Sequence, residues 1–214
     1  MRVARVLNMG KPLGVILAGG LARRMGGGDK SLLGLGQLRV LDQVISRLGG
    51  QVDQLILNAN GDPARFDEFG LPIVADSLDG FLGPLAGVLA GLDYAADHGF
   101  DYVVSVAADT PFFPTDLVFS LCAASDHMDV PIALAATKVE SGKIVRHPTF
   151  GFWPVALRED LRSALQDGLR KVVLWTDHHG AATHVFDSTE IDPFFNINTP
   201  EDLQLANDIM ETLS

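Results

Sequence analysis

The sequence predicts an α/β protein: three layers, α/β/α, around a mostly parallel central sheet, with an antiparallel addition in the C-terminal third. Three observations predict it. Short apolar runs rich in β-branched residues alternate four times with loops and helical patterns, which calls for parallel strands joined by right-handed helical crossovers. Each run ends in glycine or a polar side chain, where open α/β sheets bind their ligands. Past residue 130, two strand-like runs follow each other across a polar turn with no helix between them, the pattern of an antiparallel pair.

Leu13 to Leu17 is the first such run, with the composition of a strand covered on both faces. Five glycines follow between Gly19 and Gly28, interleaved with Arg23 and Arg24, and Lys30 comes next. Glycine lets a ligand approach the backbone amides closely, and the cations supply donors for phosphate oxygens, so the stretch describes a phosphate cradle. It is not a Walker loop, because Asp29 stands where the glycine before the lysine should be, and no Gly-x-Gly-x-x-Gly opens a helix.

Residues 31 to 38 look irregular, with Gly34 and Gly36. Val40, Leu41, Val44, Ile45 and Leu48 fall at helical spacing before Gly49-Gly50. A second strand over 53–58 ends in Asn58-Ala59-Asn60, residues 64–69 form a weak helix, and a third strand over 72–75 ends at Asp76. Gly80, Gly83 and Pro84 lead into a long helix with Leu85, Val88, Leu89 and Leu92 on one face. Residues 102–106 make the fourth strand, closed by Asp109-Thr110-Pro111.

Parallel topology gathers the glycine loop, Asn58, Asp76 and Asp109 at one sheet edge. A carboxylate there repels a phosphate ligand unless a cation lies between, and magnesium, shared between one or two carboxylates and substrate phosphates, resolves the conflict. The plainer alternative for Asp109 is a cap on a helix starting near Pro114.

In the last third, 132–137 and 149–153 read as strands around the polar turn 138–143, with Arg146-His147-Pro148 as a compact polar cluster. Residues 155–165 and 169–175 are helical by pattern, and His178-His179 suit a helix end better than a metal, since no third ligand is spaced to join them. A further strand spans 183–186. Thr199, Pro200 and Asp202 make a strong helix start, while Asn196 and Asn198, alternating with apolar residues, face the same side.

The 214 residues suit one domain over 13–214, with residues 1–12 as a poorly ordered extension or an upstream start. The basic and apolar beginning imitates a signal peptide, but Gly19-Gly20 break the apolar run and cleavage would remove the first strand. No run approaches the ~18 apolar residues of a membrane span. A net charge of −11 argues against a general nucleic-acid binder. The single cysteine, Cys122, sits among apolar neighbours and fits a packed thiol in a reducing cytoplasm.

Together these residues resemble the molybdenum cofactor guanylyltransferases, nucleotidyltransferases with a glycosyltransferase-A-like Rossmann fold. The matching text is Leu-Ala-Gly-Gly-x-x-x-Arg-Met-Gly-Gly-x-Asp-Lys at 17–30, Asn58-Ala59-Asn60, Asp76, Gly-Pro-Leu-Ala-Gly at 83–87, Asp109-Thr110-Pro111, His147-Pro148-Thr149 and Asn-Ile-Asn-Thr-Pro at 196–200. Departures are Gly36-Gln37-Leu38-Arg39, which lacks the family's proline, and Ala108 before the aspartate, both touching packing more than chemistry.

The resemblance implies transfer of GMP from GTP to molybdopterin or Mo-molybdopterin with release of pyrophosphate. It implies Leu17, Ala18, Gly19, Gly20, Gly27, Lys30, Asn58, Asp76 and Asp109 at GTP, magnesium on Asp109, and Arg24, Lys30 and Asp109 as the catalytic set. His147, Asn196 and Asn198 would lie near molybdopterin, and molybdenum-insertion proteins and apo-molybdoenzymes are the implied further partners. Two alternatives stay open: the same chemistry with CTP or another phosphate acceptor, and a GTP-binding escort that carries the cofactor without turnover.

Overall fold

The computed structural model describes residues 12–19, 29–80, 82–188 and 191–213. Gly20, Arg24 and Gly27 of the expected site, and the N-terminal extension up to residue 11, lie outside the described residues.

The chain runs β1 (Leu13–Leu17), a 3-10 turn (Lys30–Leu32), β2 (Gly34–Leu35), β3 (Leu38–Arg39), α1 (Val40–Gly49) and β4 (Gln54–Asn58). A second 3-10 turn (Pro63–Phe69) precedes β5 (Ile73–Val74), α2 (Pro84–Asp97), β6 (Tyr102–Ala107) and α3 (Leu117–Ser125). The last third holds β7 (Ala133–Lys138), β8 (Ile144–Pro154), α4 (Arg158–Gln166), α5 (Val172–His178), β9 (Ala182–Phe186) and α6 (Pro200–Leu213).

Seven strands form one sheet in the order β5-β4-β1-β6-β8-β7-β9. Only β8 runs against its neighbours β6 and β7; the other pairings are parallel. The α/β class, the mostly parallel sheet and the antiparallel addition are as expected from the sequence. β1 lies between β4 and β6, and its side chains alternate between two cores. Leu13 and Val15 pack with α2, α4 and Trp153, while Ile16 packs with α1, α3 and Phe152. This is the three-layer arrangement, with the sheet covered on both faces.

Where parallel gives way to antiparallel, buried polar groups are satisfied. Trp153 donates its ring N–H to Ser105 Oγ at 2.8 Å, and that hydroxyl donates to the Thr149 carbonyl at 2.8 Å. Such pairing removes the cost, about 1–3 kcal/mol, of leaving a buried polar group unmade.

Several details differ from expectation. Residues 34–39 form a small antiparallel hairpin, β2 with β3, turning through Gly36 at φ 61°. The helix expected from Pro114 starts at Leu117 with Asp116 as its N-cap, so Asp109 does not cap it. Arg146, His147 and Pro148 lie inside β8, and the ladder to β7 jumps from Leu134↔Gly151 to Ala135↔His147. That leaves Pro148, Thr149 and Phe150 in a bulge, which suits a proline with no N–H to give the ladder.

Candidate active site

A cavity of about 530 Å³ opens at the carboxyl ends of β1, β4 and β6, lined by Leu17, Ala18, Gly19, Asn58, Asp76 and Asp109, among others. Of the sequence-expected GTP residues that the structure describes, these six therefore meet, and Lys30 lies outside the lining itself. The strands do the gathering: Ala18 N–H donates to the Asn58 carbonyl at 2.9 Å, and Ala108 N–H to the Leu17 carbonyl at 3.1 Å, so the sheet ladder runs on into the loops.

One wall is an amide and carboxylate cluster. Asn58, at the end of β4 and only 3 % exposed, donates to the Val74 carbonyl at 3.1 Å and to Asp76 Oδ1 at 3.0 Å. Asn60 donates to Asp76 Oδ2 at 2.8 Å, and the Asp76 N–H donates back to Asn60 Oδ1 at 2.9 Å. Asp76 is held from both sides, with one lone pair on each oxygen left for a ligand donor.

Helix α2 closes this wall. Gly83, at φ 77°, is its N-cap and Pro84 its first residue, a turn that only glycine enters without strain. A Cβ at Gly87 would run into the Asn58 amide and into Leu17, so the glycine is what allows the helix to pass so close behind the strand ends.

Asp29 also lines the cavity, and the signature lysine follows it on the adjoining turn. Asp29 caps the first 3-10 turn, its Oδ1 accepting from the Ser31 N–H at 3.2 Å and the Ser31 hydroxyl at 2.7 Å. Lys30, inside that turn, donates to Asn198 Oδ1 at 2.7 Å. Asn198 is placed by the start of α6, where its N–H donates to Asp202 Oδ2 at 2.8 Å, and the neighbouring Ile197 N–H donates to the Asp109 carbonyl at 2.9 Å. Lysine, asparagine loop and aspartate thus form one connected group.

Asp109 sits back in the wall between these sides. Burial pushes its carboxyl above the usual carboxylate range; Lys30 pulls the other way, and the charge of Asp29 adds to the rise. A buried carboxylate facing a cavity and short of positive charge is the donor a hard cation seeks. Among the described residues no three His, Cys, Asp or Glu side chains converge on a metal position, so a metal at Asp109 would complete its shell from ligand oxygens and water.

Of the three residues expected near a second substrate, Asn196 lines the cavity and Asn198 holds Lys30. His147 does neither. Its ring stacks on Phe194 at 4.3 Å and shares a hydrogen bond with the buried Thr137 hydroxyl at 2.9 Å, and burial lowers its pKa, which keeps it neutral at pH 7. Thr149, displaced by the bulge in β8, lines the cavity in its stead. Elsewhere, Cys122 is buried and His179 bonds Asp160 at 2.8 Å at the end of α5. Asn60, Arg65 and Thr149 line the cavity without having been singled out from the sequence; Asn60 and Thr149 gave a signal through their places in Asn58-Ala59-Asn60 and His147-Pro148-Thr149, and Arg65 gave none.

The sheet edge thus sets a glycine-led strand end and carboxylates around a cleft, with a lysine turn beside it, on a fold shared with the nucleoside triphosphate transferases. The family profile described as a MobA-like NTP transferase domain matches residues 14–181. The molybdenum cofactor guanylyltransferase of Mesorhizobium japonicum is 48% identical over 206 residues, covering 94% of this chain and 97% of that one. That of a Bradyrhizobium species is 51% identical over 196 residues and 90% of each chain. The crystal structure of molybdopterin-guanine dinucleotide biosynthesis protein A from Archaeoglobus fulgidus superposes with a TM-score of 0.72 at 22% identity, covering 94% of this chain and 99% of that one. The chain belongs to the MobA-like NTP transferase family, among the relatives that are molybdenum cofactor guanylyltransferases, and is a nucleotidyltransferase.

Proposed function

We propose that the enzyme transfers GMP from GTP to the terminal phosphate of molybdopterin or Mo-molybdopterin, releasing pyrophosphate, in the cytoplasm. The observation that carries this reading is the meeting, in one cleft, of the doubly clamped Asp76 with Asp109, whose carbonyl is bonded to the loop that holds Lys30 through Asn198. Guanine presents N–H donors at N1 and N2, and the free lone pairs of Asp76 match donors, whereas cytosine offers a single amino group on that edge. The nucleotide's phosphates lie toward Gly19 and Lys30.

An oxygen of the acceptor phosphate attacks the α-phosphorus while the bond from that phosphorus to the bridging oxygen of pyrophosphate breaks. The acceptor is already ionised, so no protein nucleophile or base is called for. Positioning and charge neutralisation carry such a step. Lys30 neutralises charge on the triphosphate, and Asp109 would hold magnesium, which when bound would supply further charge neutralisation. Gly20, Arg24 and Gly27, outside the described residues, are assigned to the cradle from the sequence motif alone. Asn196 and Asn198 border the acceptor, and His147, neutral and stacked, supports Phe194 beneath that loop. Molybdenum-insertion proteins and apo-molybdoenzymes are the partners this product requires.

Thermal unfolding with nucleotide and magnesium tests the base assignment. GTP at a hundredfold excess over its Kd is expected to stabilise the protein by about 2.7 kcal/mol, with little effect from CTP at the same concentration. An equal shift with both nucleotides would contradict guanine recognition.

A further inference from the structure

We propose that Arg65 is a positioning residue that clasps the two walls of the nucleotide cleft together and neutralises Asp29, so that the phosphate side of the cleft accepts a polyanion. This rests on the nucleotide-binding reading above.

Arg65 stands on the 3-10 turn Pro63–Phe69, and all three of its guanidinium nitrogens are engaged. Nε donates to Asp29 Oδ2 at 3.3 Å, Nη2 to the Asn60 carbonyl at 2.8 Å and Nη1 to the Asp62 carbonyl at 2.7 Å. Its carbon lies 4.6 Å above the ring of Phe66, which is buried. The planar fork is therefore fixed both in its plane and across it.

The two ends of this clasp matter to the ligand. Asp29 caps the turn that carries Lys30, and Asn60 clamps Asp76. One side chain thus sets the spacing between the lysine that meets phosphate and the carboxylate that meets the base. Asp29 and Arg65 both line the cavity. A carboxylate in the wall of a polyphosphate site repels its ligand. Arg65 is the ion-pair partner of Asp29 among the described residues. A lysine keeps the charge but cannot bond three oxygens in one plane.

A double-mutant cycle on the full chain, with the Kd for GTP and magnesium measured by calorimetry, tests the clasp. Arg65→Gln is expected to weaken binding about tenfold, a size usual for coupled neighbours. In the Asp29→Asn background the same substitution is expected to cost less than about threefold. There no charge remains to compensate, while the carboxamide that replaces the Asp29 carboxylate still accepts from Ser31. A merely structural role lowers Tm and costs the same factor in both backgrounds; that result, or an unchanged Kd, overturns the proposal. Should Arg65→Gln not fold, Arg65→Lys replaces it: an intermediate loss that disappears with Asp29→Asn supports the clasp, and an equal loss in both backgrounds overturns it. CTP is run alongside. Wild-type protein that prefers CTP overturns the base assignment alone, and the cycle is then judged with CTP; binding of neither nucleotide overturns both.

Discussion

Asp109 and Asp76 are both carboxylates at strand ends, yet their surroundings give them opposite work. Asp76 is held by amide donors from Asn58 and Asn60 and presents fixed acceptors. Asp109 has its pKa raised by burial. A carboxyl raised in the folded state contributes stability when protonated, fully below the unfolded value of about 3.9, and that contribution is lost as pH rises through the raised value. At neutral pH the buried Asp109 carboxyl therefore weakens the metal-free fold. Asp109→Asn is expected to raise the Tm of metal-free protein at neutral pH, with the gap narrowing toward about pH 4, and to abolish turnover. Paired melting curves at the two pH values check it, and a lower Tm for the variant at neutral pH would show that attraction to Lys30 outweighs burial. Asp109 was legible in the sequence because a polar residue closing an apolar run is a local signal. Arg65 was not: its reach to Asp29 and Asn60 depends on a 3-10 turn whose orientation no periodicity reports.

At the scale of elements, the start of α6 does more than begin a helix. Thr199 Oγ1 accepts from the Asp202 N–H at 3.1 Å, and Asp202 Oδ2 accepts from the Asn198 and Thr199 N–H groups at 2.8 and 2.9 Å. These bonds hold the Asp202 carboxyl below the usual carboxylate range. The cap thereby fixes the asparagine that engages Lys30. Thr199→Ala is expected to lower stability by about 1 kcal/mol, read as a reduced urea midpoint with an unchanged slope; no change would mean that Asp202 alone holds the turn. The cap, β1, β4, β6, α1 and α2 were legible because capping residues, apolar runs and helical spacing are local. The hairpin β2–β3 was not, since two-residue strands carry no period. The bulge in β8 was hidden too, because it exists only relative to the register of β7.

Across the whole molecule, topology turns distant residues into a site. The parallel order β4-β1-β6 sets Asn58, Leu17 and Ala107 at one edge, and the reversed β8 returns through Thr149 to the same cavity. The protein carries a net charge of −11, so the proposed binding of a triphosphate would have to draw on local groups: the lysine turn, the arginine paired with Asp29, and a cation that Asp109 would hold. This convergence followed from alternating strands and helices alone. What the sequence could not show was which strand-end side chains look into the cleft, because that depends on packing such as the close pass of Gly87 behind Asn58. The chemistry assigned to the cleft is tested most directly by pyrophosphate release from GTP, with and without molybdopterin, in the presence of magnesium. Release that requires molybdopterin and is not supported by CTP is the outcome expected; equal release from CTP, or none while GTP is bound and molybdopterin is present, would contradict guanylyl transfer.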